Sequence, residues 1–228
     1  MKLLALDTST EACSVALLYQ GSIIALDEVC PQQHSKRVLP MIDGLLAEAG
    51  LNLTSLDGIV FGRGPGSFTG VRIGVSVAQG LAFGADLPVY GVSTLAAMSQ
   101  AAVRLHQASQ IVAAIDARMA EVYLASYRCD SDGVVQQLTA EQAIKPHLLP
   151  PMALSGPVMA VGTGWQTYAS ELLAAQHAEI ASDILYPSAQ DMLTLARPAF
   201  FEGHFVSAEQ AEPSYVRDEV SWKKLPGR

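Results

Sequence analysis

The chain is predicted to be an α/β protein of two duplicated lobes, and three features of its 228 residues predict it. Each half opens with an apolar strand that ends in aspartate, Leu3–Asp7 and Ile111–Asp116, followed by two more strand patterns. The interval from that aspartate to the tyrosine ending the second strand is nearly the same in both copies, Asp7 to Tyr19 and Asp116 to Tyr127. Each three-strand meander is then followed by a region where strand and helix patterns alternate. The division expected is a first lobe over 1–105 that carries partner-binding helices, and a less regular second lobe over 106–228 that ends in a surface tail.

In order, 2–6 is an apolar strand, Thr8-Ser9-Thr10-Glu11 is turn chemistry, and 13–19 and 23–29 are strands joined at Gln20-Gly21-Ser22. A helix is expected over 35–49, with Ser35 as N-cap, Gly50 as C-cap, and Val38, Ile42, Leu45 and Ala49 on one apolar face. Residues 57–61 form a short buried strand, followed by a glycine-rich loop and a helix from Thr69 to Phe83. A strand over 88–91 leads to a helix over 94–105 capped by Ser93. The second half repeats the theme with strands over 111–116, 121–127 and 134–138, a break at Pro150-Pro151, and a strand over 158–162. Helices follow over 167–175 and 190–201, where Pro198 must kink or end the second one. Residues 213–228 are predicted to be an extended surface tail.

Composition narrows the function classes. Hydrophobic residues make up 50% and charged residues 16%, which is globular rather than disordered. The mean hydropathy of +0.26 is high, yet no run approaches the ~18 apolar residues of a membrane span. The surplus therefore implies well-buried sheets plus apolar surface kept for a partner. The N-terminal apolar stretch stops at Asp7, too short for a signal peptide. Three widely spaced cysteines, Cys13, Cys30 and Cys129, make no metal or disulfide pattern, and a cytoplasmic location is expected. A net charge of −8 argues against unaided nucleic-acid binding. The densest basic stretch, Lys223-Lys224 with Arg217 and Arg228, is interleaved with Asp218 and Glu219 and reads as a solvated tail.

Residues that could carry chemistry each have a plainer reading. Asp7 and Asp116 either position a metal-bound water or a phosphate, or cap their own turns. The loop from Gly62 to Gly70 makes Gly64, Gly66 and Ser67, with Asp7, weak candidates for nucleotide binding. It has neither a Gly-Lys-Ser/Thr ending nor a GxGxxG pattern, and a tight structural turn explains it equally well. In the helix that follows, Gly70, Gly74, Ala78 and Ala82 form a ridge of small residues flanked by Val71 and Val75. That ridge either admits a partner helix or packs on the lobe's own sheet. The five histidines stand apart with no HxxxH or HExxH pair, and GxSxG is absent. Neither a metal site nor a catalytic residue is expected.

The segments LALDTSTEACSVAL, GRGPGSFTGVRIGVSVAQGLAFG, PVYGVSTLAAM and DARMAEVYLASY resemble the TsaB (YeaZ) family of bacterial proteins across most of the first 130 residues, with PSYVRD matching later. The resemblance implies an actin-like ATPase (ASKHA, RNase H-like) fold. It also implies a non-catalytic scaffold or activator role in making N6-threonylcarbamoyladenosine in tRNAs that read ANN codons. The implied partners are the catalytic paralogue TsaD and the ATPase TsaE. The resemblance further implies a homodimer when the chain is alone, tRNA engaged only indirectly, no cofactor intrinsic to the chain, and ATP or ADP only at the TsaD boundary. First-lobe helices carry the pairing, so Val38, Ile42, Leu45, Gly70, Val71, Gly74, Val75 and Ala78 are the expected interface. TsaD has an HxxxH metal pair in a register that here reads Thr94-Leu95-Ala96-Ala97-Met98, which offers poor metal ligands. The alternatives are an actin-like nucleotide-dependent kinase or hydrolase and, ranked last, a peptidase.

Overall fold

The computed structural model describes residues 1–217. In the first half, β1 (Leu3–Asp7), β2 (Ala12–Tyr19) and β3 (Ser22–Val29) form the meander. They are followed by α1 (His34–Ala49), β4 (Gly58–Gly64), α2 (Phe68–Ala85), β5 (Val89–Ser93) and α3 (Thr94–His106). The second half holds β6 (Gln110–Arg118), β7 (Glu121–Cys129), β8 (Val135–Gln137), β9 (Gln142–Ile144), β10 (Met159–Val161), α4 (Thr163–Thr167), α5 (Ala169–Ala175), β11 (Glu179–Ile180) and α6 (Ala189–Phe201).

The first sheet has the order β3-β2-β1-β4-β5, and the second, read from its meander end, runs β8-β7-β6-β10-β11 with β9 added beside β7. In each, the meander is antiparallel and the two later strands join parallel to the first strand. Identical order and direction in both halves establish the duplication, and the fold is actin-like with two RNase H-like lobes. Strand alternation fixes the layers. In β1, Leu4 and Leu6 face the core under α1 and α2, while Leu3 and Ala5 face α6. In β6, Ile111, Ala113 and Ile115 face α3, while Val112 and Ala114 face Trp165 of α4 and Leu172 of α5.

The strands divide between α3 and β6, but the helices cross that line. α3 contributes Leu95, Met98, Ala101 and Ala102 to the second sheet's core, and α6 returns to cover the first sheet with Met192, Leu193 and Ala196. Val206 then bridges Val89 on the edge strand of the first sheet. Each lobe is closed by a helix from the other half of the chain.

Several local expectations shift. α1 starts one residue before Ser35, with Gln33 at the cap and no capping side chain, so Ser35 is helical and exposed. α2 begins at Phe68, capped by Ser67, whose Oγ accepts from Gly70 N at 3.3 Å. Ser93 caps α3 as expected, accepting from Ala96 N. Pro198 neither ends nor interrupts α6, which continues to Phe201. The helix expected over 167–175 is α5, which starts at Ala169, and a separate short helix, α4, precedes it with a break at Tyr168. Residues 213–217 run over the surface, with Ser214 N donating to Arg63 O, whereas Lys223, Lys224 and Arg228 lie outside the described residues.

Candidate functional site

The turn between β1 and β2 is the centre of the first lobe, and a track of glycines is shaped around it. A Cβ on Gly62 would collide with the Asp7 carboxylate, one on Gly66 with Ser9 O, and one on Gly70 with Thr8 O. On Gly74 it would sit 2.8 Å from Thr8 Oγ1. Hydrogen bonds close the fit: Ser67 N donates to Ser9 O at 2.7 Å, and Thr8 Oγ1 donates to Gly70 O at 2.7 Å. The loop proposed for nucleotide is therefore occupied by the chain's own turn. Ser67 N–H is spent on Ser9, Ser67 Oγ caps α2, and Gly64 faces Ser214 O.

Asp7 and Asp116 take the turn-capping role in both lobes. Asp7 Oδ1 accepts from Ser9 N at 2.9 Å, and Asp116 Oδ1 accepts from Arg118 N at 2.9 Å. Their surroundings differ. Asp7 is 1% exposed, and burial pushes its carboxyl up to about 6, opposed by the Ser9 hydrogen bonds. Asp116 is partly open and lies 3.6 Å from Arg118, which also reaches Glu11 at 3.1 Å across the lobes.

Thr94 and Met98, which stand in the register of the metal pair, have other work. Thr94 Oγ1 shares a 3.0 Å hydrogen bond with Ser9 Oγ, extending the Asp7–Ser9 chain to the start of α3. Met98 is fully buried in the second lobe's core, and its Cε fills the space that a Cβ on Gly162 would need. Among the described residues no group of three or more His, Cys, Asp or Glu is arranged to hold a metal. A second polar cluster across the lobes was not foreseen: Glu141 receives the Ser93 hydroxyl and lies 3.5 Å from Arg63, beside Tyr127, whose phenol burial pushes upward. Glu141 lies in a connecting segment with no periodicity, so nothing in the sequence marks it.

Between the lobes lies a cleft of about 440 Å³, whose lining includes Ser9, Thr10, Glu11, His34, Asp116 and Arg118. Beside it, sharing Gly66, Phe68, Tyr123 and Arg217, is a more apolar groove of about 630 Å³.

The eight residues chosen as partner-facing require correction. Val38, Ile42 and Leu45 of α1 and Val71, Val75 and Ala78 of α2 all belong to the first lobe's own core, and Gly70 and Gly74 hold Thr8. They face inward because α1 and α2 need one apolar stripe each for the sheet beneath them. The outward faces carry different residues: Leu39, Gly44 and Ala47 on α1, and Ser76, Gly80, Phe83 and Gly84 on α2. Around Gly44, Gly80 and Gly84 a Cβ would meet nothing within 4 Å, and Phe83 is 71% exposed. The row Ser76–Gly80–Gly84 repeats at four-residue steps just as Gly70–Gly74–Ala78 does. Periodicity alone cannot say which row meets the sheet.

A family model described as TsaD, tRNA N6-adenosine threonylcarbamoyltransferase, matches residues 26–224. The Escherichia coli (strain K12) protein named tRNA threonylcarbamoyladenosine biosynthesis protein TsaB is 48% identical, over 100% of both chains. The Haemophilus influenzae protein of the same name is 50% identical over 100% of this chain and 98% of its own. A solved structure described as YeaZ from Pseudomonas aeruginosa superposes with a TM-score of 0.88 at 45% identity, covering 94% of this chain and 99% of that one.

Proposed function

The chain belongs to the TsaB family, and from that premise we propose that it is a non-catalytic subunit of the machinery that makes N6-threonylcarbamoyladenosine in tRNAs reading ANN codons. It pairs with TsaD, holds that enzyme in its active arrangement, and completes the surface that TsaE and tRNA engage. Alone, it pairs with a second copy through the same face. A nucleotide of the complex sits at the TsaD boundary, since the glycine loop of this chain gives its Ser67 donor to Ser9.

The observation that carries this reading is the outward face of α1 and α2. Each helical glycine costs about 1 kcal/mol against alanine. Gly70 and Gly74 are required by Thr8, but nothing among the described residues requires Gly44, Gly80 or Gly84 to lack a side chain. Close approach of a second helix accounts for them, and exposed Leu39 and Phe83 flank the approach. Light scattering of the chain mixed with TsaD tests the reading. A discrete heterodimer is expected for the natural chain, and Gly80→Arg abolishes it while leaving the circular-dichroism melt unchanged. A natural chain that stays indifferent to TsaD would refute the proposal.

The interlobe cleft supports a second reading, an actin-like nucleotide-dependent kinase or hydrolase. Stoichiometric ATP–magnesium binding to the isolated monomer by calorimetry would favour it over the scaffold.

A further inference from the structure

The groove beside the cleft has a composition unlike the rest of this acidic chain. Phe68, Tyr123, Tyr215, Arg72 and Arg217 line it with no carboxylate among the described lining residues, although the chain's net charge is −8. Phe68 is 51% and Tyr215 47% exposed, and their rings lie tilted against each other with centroids 5.7 Å apart. The Arg72 guanidinium lies 3.7 Å from the Phe68 ring centroid and 5.7 Å from that of Tyr215, and its Nε donates to Tyr215 Oη at 2.7 Å. No carboxylate neutralises Arg72 among the described residues. Arg217 sits 5.9 Å from the Tyr123 ring and is anchored by Glu121 at 2.5 Å, which joins the two ends of the groove across the lobes.

From these contacts we infer that the Phe68–Arg72–Tyr215 groove binds unpaired nucleotides of an RNA loop. Bases stack on aromatic and guanidinium planes whatever their identity, and guanidinium edges match phosphate oxygens. Unstacked loop nucleotides expose both groups together, whereas a duplex keeps its bases hidden. An apolar peptide would satisfy the rings but leave the Arg72 edge unmatched. The groove begins at the N-terminal end of α2, whose outward face further along carries Gly80, Phe83 and Gly84. RNA would thus lie at the seam with the partner rather than on this chain alone, which reconciles local recognition with the acidic whole. The inference rests on the tRNA-modification reading above and adds to it a direct contact.

The test uses the full chain in complex with TsaD and a fluorescent, unmodified tRNA anticodon stem-loop, titrated at several salt concentrations. Arg72→Gln combined with Phe68→Leu is expected to weaken binding by about tenfold or more. Arg72→Gln alone lowers the slope of log affinity against log salt by about 0.7, one single-strand phosphate contact, and Arg72→Lys restores that slope. Light scattering on the same samples shows heterodimer formation unchanged; absence of the natural heterodimer would instead strike the scaffold reading. An intact complex whose variants bind the stem-loop as tightly as the natural chain overturns the groove. Equal affinity for a blunt duplex also overturns it, because stacked, paired bases offer nothing to Phe68 or Tyr215.

Discussion

Replacing Asp7 with asparagine is expected to stabilise the chain at neutral and alkaline pH. The Asp7 carboxyl is 1% exposed and its pKa is raised from 3.8 to about 6, with burial as the leading cause. A folded-state pKa above the unfolded value means that ionised Asp7 costs the fold stability above pH 6. That cost fades as pH falls from about 6 towards 3.8 and is absent below the unfolded value. Over the 3.8-to-6 interval, at 1.36 kcal/mol for each pKa unit, the cost comes to about 3 kcal/mol at pH 8. Asparagine keeps a carbonyl oxygen to accept from Ser9 N and Ser9 Oγ, which lie 2.9 and 2.8 Å from Oδ1, and it cannot ionise. Urea unfolding of both chains at pH 8 and pH 3.5 measures the difference. Asp7→Asn should be more stable by about 3 kcal/mol at pH 8 and near parity at pH 3.5. A variant less stable than the natural chain at pH 8 would refute the reasoning, for it would mean the Ser9 contacts to an ionised carboxylate outweigh its burial.

Other substitutions probe other links. Arg104→Ala strands Asp191, which is 1% exposed and held by two 2.8 Å bonds, and should cost about 3–5 kcal/mol at pH 8. Since burial already raises the Asp191 pKa, protonation relieves the stranded charge, and the loss in urea melts should shrink in acid. Gly74→Arg drives a side chain into Thr8 and should unfold the first lobe by circular dichroism, in contrast to Gly80→Arg on the open face. Trp165→Ala removes a side chain that is 1% exposed, with Nε1 donating to Val112 O at 3.1 Å, and should cost about 3–5 kcal/mol in denaturant. At Gly162, where φ is +104° and a Cβ would collide with Ala114 O, Gly162→Ala should abolish soluble expression of folded chain.

The duplicated architecture was legible because it rests on local patterns. The apolar strand runs, the hairpin at Gly21, the Gly50 cap and the Ser93 cap each depend on neighbours close in sequence, and all four are present. The motif GRGPGSFTGVRIG was legible as special but not in its purpose. Gly62, Gly66, Gly70 and Gly74 answer to Asp7, Thr8 and Ser9, more than fifty residues earlier, and only the folded chain brings the two segments into contact. α4 and β11 were missed because five and two residues carry too little periodicity to stand out.

The amino-acid sequence alone determined that there are two lobes of like topology and that α1 and α2 carry apolar and small-residue stripes. Only the tertiary structure decided which way those stripes point and which helix closes which lobe. The reason is physical. A helix with two rows of small residues, such as α2 with Gly70–Gly74–Ala78 and Ser76–Gly80–Gly84, buries whichever row meets a sheet, and that choice depends on a turn distant in the chain. The exchange of α3 and α6 between the lobes is likewise a matter of long-range packing, which propensity and spacing along one strand of sequence do not encode.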